Sequence, residues 1–381
     1  MGTTEFDEIR PYNDEELPEI YEELIADPYF LKISASTFPE MSLGDLLARI
    51  RSCKTVREFQ KVFGQSLMWK IADAFSDGLS IDVSAIEDKT KAYTYISNHR
   101  DIILDSGFLS TLLVDNGMDT VEIAIGDNLL IYPWIKKLVR INKSFIVQRG
   151  LSMRQMLEAS SLMSRYMHHT IKDKNQSIWI AQREGRAKDA DDRTQESVLK
   201  MLAMGGTGDV IDRLLELNIA PIALSYEYDP CDFLKAQEFQ LKRDILGYKK
   251  TSNDDLINMK TGLFGYKGKV HFQLTKPIND ELLKLDRSLP KADLFSAVAK
   301  IIDNHIHKNY RIYPGNYIAL DILNDSNTFS IHYTNEEKEH FEKYIAGQLA
   351  KIELPEKDTP FLYEKLLLMY ANPLKNFLAA K

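Results

Sequence analysis

Apolar positions divide the chain into three stretches of different period. Over residues 1–90 they recur every three or four positions, the spacing of amphipathic helices. Leu17, Ile20, Tyr21 and Leu24 share one face of an acidic segment, Glu15 to Ala26. Thr55-Val56-Arg57-Glu58 has the form of a capping box, with Ser42-Leu43-Gly44-Asp45 a looser one. Phe59, Val62, Phe63, Leu67 and Ile71 then follow at helical spacing. The pattern predicts a helical N-terminal region packed as a cap over the next one.

From 91 to 280 the pattern alternates. Short β-branched and aromatic runs at 92–97, 121–125, 144–149, 177–182, 220–227 and 268–274 predict strands. Between them, 105–115, 127–141, 152–170, 194–204 and 207–217 carry helical spacing. From 281 to 381 the chain is helical in pieces and ends in an apolar tail, Phe361 to Tyr370 and Pro373 to Leu378, which packs on the core or lies in a bilayer interface. The expected fold is α/β: a mixed central sheet flanked by helices, with helical additions at both ends. The expected regions are 1–90, 91–280 and 281–381.

Chemistry concentrates at the ends of the predicted strands, where open α/β sheets hold their ligands. Tyr93-Thr94-Tyr95-Ile96 leads into Ser97-Asn98-His99-Arg100-Asp101-Ile102-Ile103-Leu104-Asp105. Histidine can take a proton from a hydroxyl and return it, and a carboxylate on its other N–H fixes the tautomer. Asp101 and Asp105 both lie within reach if a helix starts here; the same pair also suits a plain structural hydrogen bond. Phe145-Ile146-Val147-Gln148-Arg149 is a strand ending in a cation, and a guanidinium suits phosphate. Ile178 to Ala181 leads to Glu184-Gly185-Arg186, where Glu184 can accept from a hydroxyl and Arg186 can pair with phosphate. Ile219 to Tyr228 is a strand with Pro221 near its start.

Taken in order, these motifs resemble the glycerolipid acyltransferases, the family that acylates glycerol 3-phosphate, 1-acyl-glycerol 3-phosphate and related acceptors from a thioester. The resemblance runs from Tyr93 to Asp229, with an echo in Gly268 to Ile278 that is similar to a late strand of the glycerol-3-phosphate branch. It implies that His99 is the general base and Asp105 its orienting acid. It further implies that Arg149, Glu184, Gly185 and Arg186 hold the glycerol and phosphate, and that Pro221 shapes a substrate pocket. Five residues separate His99 from Asp105 where the family has four, and one residue turns a helical position by about 100°. Either a looser first turn brings Asp105 to the ring, or Asp101 takes its place. Val147-Gln148 stands where the family often has an arginine or an acid. An acceptor lacking glycerol phosphate, such as a lyso-amino-acid lipid or other lysolipid, and a non-catalytic lipid-binding protein are the rival readings. The implied partners are acyl-CoA or acyl-carrier protein as donor, a glycerophosphate or lysolipid as acceptor, and a membrane surface.

With 381 residues, 44% hydrophobic, the chain has ample material for a core. Its net charge of −8 argues against nucleic-acid partners. A local exception is Trp134, Lys136, Lys137, Arg140 and Lys143, a basic patch suited to anionic headgroups or an acidic carrier, or else a solvated helix face. Cys53 and Cys231 suggest no disulfide framework and fit a reduced cytosol. No apolar run is long enough to span a bilayer and no signal-peptide pattern opens the chain, so the expected place is the cytoplasm, peripheral to the inner face of the membrane. His168, His169, His271, His305, His307, His332 and His340 form no metal-binding motif, so no metal or other cofactor is expected. His99-Arg100-Asp101 lacks the kinase context, Gly205 to Asp209 lacks the ending of a phosphate loop, and no nucleophile elbow is present.

Overall fold

The computed structural model describes residues 5–381. Among these residues seven strands form one sheet. They are β1 (Gly78–Asp82), β2 (Thr94–Ser97), β3 (Glu122–Gly126), β4 (Ser144–Val147), β5 (Ile178–Ala181), β6 (Ile219–Tyr226) and β7 (Lys269–Leu274). The order is β1-β7-β6-β2-β5-β3-β4, and β6, β2, β5, β3 and β4 are parallel. β7 runs antiparallel to β6, and β1 parallel to β7, so the sheet is mixed. Helices cover both faces and both termini are helical, as the alternating pattern predicts.

Side chains alternate between two cores. Ile96, Ile178, Ile180 and Ile219 enter one with Phe145, Tyr166 and Met167. Tyr95, Trp179, Ala220 and Ile222 enter the other with Leu104, Phe108 and Phe272. The parallel strands are buried on both faces, which is why their sequences are near-continuous apolar runs.

Three elements depart from the predicted pattern. β1 lies in the stretch predicted helical; it is a short edge strand whose Leu79 and Ile81, with Val83 just beyond it, pack against the second core, a run too brief to stand out from the helical pattern around it. Helices Asp232–Asp244 and Ser252–Phe264 are not predicted either. The first buries Asp232, Lys235, Glu238 and Gln240, so its inward face has no apolar stripe.

The N-terminal helices build their own core from Leu17, Tyr21, Leu24, Leu46, Ile50 and Phe59, which closes on Ile141. The apolar tail forms one helix, Thr359–Ala380, and packs inward through Leu362, Leu366, Leu367 and Leu374. It is tied to the α/β unit by Asp232, which accepts from Tyr370 Oη at 2.6 Å and Tyr344 Oη at 3.0 Å. The basic patch is largely consumed within the protein. Lys137 pairs with Glu23 at 3.0 Å, and Lys143 with Asp119 at 3.1 Å. Arg140 is buried, donating to the carbonyls of Arg10 and Asp7. Among the described residues no helix is long and apolar enough to cross a membrane, and no group of His, Cys, Asp and Glu side chains could hold a metal ion.

Candidate active site

Because β2, β4 and β5 are parallel, the segments that follow them emerge at one end of the sheet. Asn98 continues β2 past its last paired residue. Its Nδ2 donates to the Leu224 carbonyl at 2.9 Å, and its Oδ1 accepts from Leu224 N–H at 2.8 Å. This buried clamp on β6 fixes where the next residue, His99, begins.

His99 Nδ1 lies 2.8 Å from Asp105 Oδ2. The same oxygen accepts from the N–H of Arg100 at 2.7 Å and of Asp101 at 3.0 Å. Asp105 Oδ1 accepts from Tyr226 Oη at 3.0 Å. Asp105 is fully buried, and four donors converge on it. An anionic acceptor in that setting makes His99 carry its proton on Nδ1 and leaves Nε2 as the proton-accepting nitrogen.

Asp101 has a different task. Its Oδ1 accepts from the N–H of Ile103 at 2.9 Å and of Leu104 at 2.8 Å, at the start of helix Leu104–Asp115. The extra residue between His99 and Asp105 is thus taken up in a turn ahead of the helix, and Asp105 reaches the ring. Burial pushes the Asp101 carboxyl up, and neighbouring Asp105 adds to this. Gly262, in helix Ser252–Phe264, lies directly over Asp101; a Cβ there would overlap Asp101 Oδ2.

Arg186 is buried, with Nη2 donating to Asn258 Oδ1 at 3.0 Å and Nη1 unpartnered. Burial opposes its charge, but Cys231, Asp101 and Asp229 more than restore it, and its pKa is raised. Arg100 is ion-paired with the buried carboxylate of Asp192. Gly185 adopts φ +66°, the left-handed turn that lets Arg186 double back inward while Glu184 points out. Glu184 is exposed and ion-paired with Arg149.

His99, Arg149, Glu184, Gly185 and Arg186 all line one cavity of about 1460 Å³. Its roof is the N-terminal cap, through Phe38, Phe63, Leu67 and Ile71, and its floor includes Ile123, Ile146 and Met163. Most of the lining is apolar; Arg183, Arg186 and Lys188, from the segment after β5, and Lys250, which shares Glu238 with Lys188, bring a cationic group to it, while Arg57, Lys61 and Lys70 line it from the N-terminal cap. Pro221 is not brought there. It sits inside β6 opposite Ile96, and its carbonyl accepts from Thr275 N–H at 3.0 Å, at the end of the β6–β7 ladder. Sequence reasoning misses Tyr226, Lys188 and Lys250. Tyr226 is the next-to-last residue of a predicted strand, the one signal that could have drawn attention to it.

No family model matches the sequence, and no curated protein matches it. Among solved structures the chain is similar to the 1-acyl-sn-glycerophosphate acyltransferase PlsC of Thermotoga maritima, at 12% identity and a TM-score of 0.37, covering 76% of this chain and 92% of that one.

Proposed function

We propose that the protein is an acyl-thioester-dependent O-acyltransferase of phospholipid synthesis, with glycerol 3-phosphate or 1-acyl-glycerol 3-phosphate as acceptor. The observation that carries this reading is the hydrogen bond from His99 to buried Asp105, made at the wall of a large, mainly apolar cavity that also carries a cationic group after β5. An acyl chain fits the apolar part and a phosphate the cationic part. The motif order along the chain supports the same reading.

His99 Nε2 takes the proton of the acceptor hydroxyl as its oxygen attacks the thioester carbonyl. Asp105 stabilises the imidazolium that forms. The tetrahedral intermediate collapses, the C–S bond breaks, and the thiolate leaves with the proton held by His99. The products are an ester and a free thiol, and no enzyme-bound acyl group is required. Arg186 is the phosphate ligand, its unpartnered Nη1 being the donor available for it. Ile131, Tyr132, Met153, Met156 and Leu157 are exposed apolar residues, and Met156 also lines the cavity; they suit peripheral contact with the cytoplasmic leaflet through which lipid enters.

Acylation of an acceptor without phosphate is the second reading. It draws on the ion pair of Arg149 with Glu184, which spends that guanidinium within the protein. Thiol release from acyl-CoA and from acyl-carrier protein, with glycerol 3-phosphate or lysophosphatidate added, tests both. Release that depends on a phosphate acceptor and is lost in His99→Ala is the expected result. Release that persists undiminished in His99→Ala rejects the mechanism, and binding of lipid without thioester consumption rejects catalysis.

A further inference from the structure

Arg100 and Asp192 form a buried ion pair beside the cavity, yet neither lines it, although His99, Ile102 and Ile103 do. Arg100 follows His99 directly. Its N–H donates at 2.7 Å to Asp105 Oδ2, the oxygen that also meets His99 Nδ1 at 2.8 Å. The place of Arg100 therefore decides how that oxygen meets the ring. Its guanidinium is 10% exposed and pairs with Asp192, whose side chain is fully enclosed. Such a pair is a poor stabiliser, because desolvating two charges offsets their attraction. Here Arg100 Nε and Asp192 Oδ1 also have no hydrogen-bond partner among the described residues. What the pair supplies is one fixed geometry for the residue after His99.

Asp192 is itself held, by two helices of the C-terminal region. From helix Thr359–Ala380, Asn372 Nδ2 donates to the Asp189 carbonyl at 2.8 Å and Asn376 Nδ2 to Asp191 Oδ1 at 3.0 Å. Asn376 Oδ1 accepts from Arg193 Nη2 at 2.7 Å. From helix Lys291–Lys308, His307 Nε2 donates to the Asp192 carbonyl at 2.9 Å. Asp303 Oδ1 accepts from Thr194 N–H at 2.8 Å and Thr194 Oγ1 at 2.7 Å. Between these anchors Ala190 takes φ +59°, a left-handed conformation unfavourable to a residue with a Cβ, and is buried in the core formed with Leu366, Met369 and Tyr370. Strain of this kind persists only where the surroundings over-determine it. The segment from Asp189 to Thr194 is thus a rigid bridge from the C-terminal helices to Arg100.

We propose that Asp192 is a positioning residue: through Arg100 it sets the turn that puts Asp105 against His99 Nδ1, and the C-terminal helices set Asp192. Its part in catalysis rests on the acyl-transfer reading; its part in the geometry does not.

The test is the Arg100→Met/Asp192→Val variant, which removes both charges together so that neither is left buried and alone. Isotope-edited NMR of the histidine ring nitrogens, at a pH where the ring is neutral and with His99→Ala to assign the signals, reads which nitrogen of His99 carries the proton, without any substrate. The unaltered protein should hold its proton on Nδ1. In the variant the Nε2–H form, which free imidazole side chains prefer, should become the larger fraction. Thiol release should show kcat lower by at least about tenfold and KM for the acceptor within about twofold, since no contact with substrate is removed. Circular dichroism checks the fold; where valine overpacks, Arg100→Met/Asp192→Ala makes the same removal in less volume. An Nδ1–H form retained in the folded variant overturns the proposal, as does its absence from the unaltered protein. A kcat within about twofold of the original after the tautomer has shifted overturns it too. Absence of thiol release by the unaltered protein with every donor and acceptor rejects the acyl-transfer reading, and the tautomer still decides the geometric role.

Discussion

Tyr226 Oη donates to Asp105 Oδ1 at 3.0 Å, across 121 residues of sequence, from the last position of β6 to the first turn of a helix. Tyr226 is partly buried, and desolvation with the neighbouring Asp105 pushes its pKa well up, so it remains a donor at any working pH. It touches no reacting atom; it positions the carboxylate that positions His99. Tyr226→Phe should lower kcat by about tenfold, the loss of one hydrogen bond to a charged group, while leaving KM for the acceptor near its original value. With one donor fewer, Asp105 attracts the imidazolium more strongly, so the acid limb of the pH profile should move to higher pH. A fall in rate with an unmoved limb would reduce Tyr226 to a packing role.

Asp105→Asn separates orientation from charge. Oδ2 of Asp105 accepts three N–H groups, whereas Oδ1 faces only a hydroxyl that can rotate and accept. Asparagine should therefore set its oxygen toward His99, Arg100 and Asp101 and its NH2 toward Tyr226. The tautomer of His99 survives and only the counter-charge to the imidazolium goes. The expected cost is about 10²-fold in kcat, equivalent to roughly 3 kcal/mol of lost charge-assisted bonding, with the melting temperature little changed. A variant within threefold of full activity would show that the charge of Asp105 is not used.

Gly262 is a steric requirement of the site. Alanine gains about 1 kcal/mol of helix propensity over glycine, but here its Cβ overlaps Asp101 Oδ2. Asp101 cannot swing away freely, because Oδ1 holds two N–H groups at the start of the next helix. Overpacking of this kind costs about 1 to 3 kcal/mol, so against that gain Gly262→Ala should lower stability by a net of up to about 2 kcal/mol in a denaturant titration. The same push displaces the His99 turn, and activity should fall with stability. A variant more stable than the original would show that the helix moves aside.

The His99 turn is legible in the sequence because everything that makes it is local. A β-branched run ends at Asn98-His99, and both candidate carboxylates lie within six residues. What is not local is hidden. The choice between Asp101 and Asp105 turns on which of them caps the helix, a matter of backbone geometry that spacing alone leaves open. Pro221 carries a motif position yet ends in the sheet away from the cavity, since its place is set by the β6–β7 ladder. Helix Asp232–Asp244 shows no apolar stripe because it buries charges, and one of them, Glu238, holds Lys188 and Lys250 in place. A polar buried face therefore conceals both a helix and its ion pairs at once.

Lys188 lines the cavity beside Arg186 and should make phosphate binding pH-dependent. Burial pushes its pKa down to about 8; Glu238 resists this, while Lys250, Arg186 and Lys235 add to it. The ammonium is present below that value and lost above it. Phosphate esters have their second pKa near 6, so glycerol 3-phosphate carries nearly its full charge from pH 7 upward and a change there belongs to the protein. Affinity for glycerol 3-phosphate should fall severalfold between pH 7 and pH 9. Because the bound anion favours the charged amine, binding near pH 8 should take up protons, seen in calorimetry as a dependence of the heat on the buffer's ionisation enthalpy. Lys188→Arg keeps its charge throughout this range and should flatten the profile while preserving affinity. Binding that stays constant from pH 7 to pH 9 in the unaltered protein would show that Lys188 does not meet the anion, because a ligand in contact with a titrating ammonium must feel its loss.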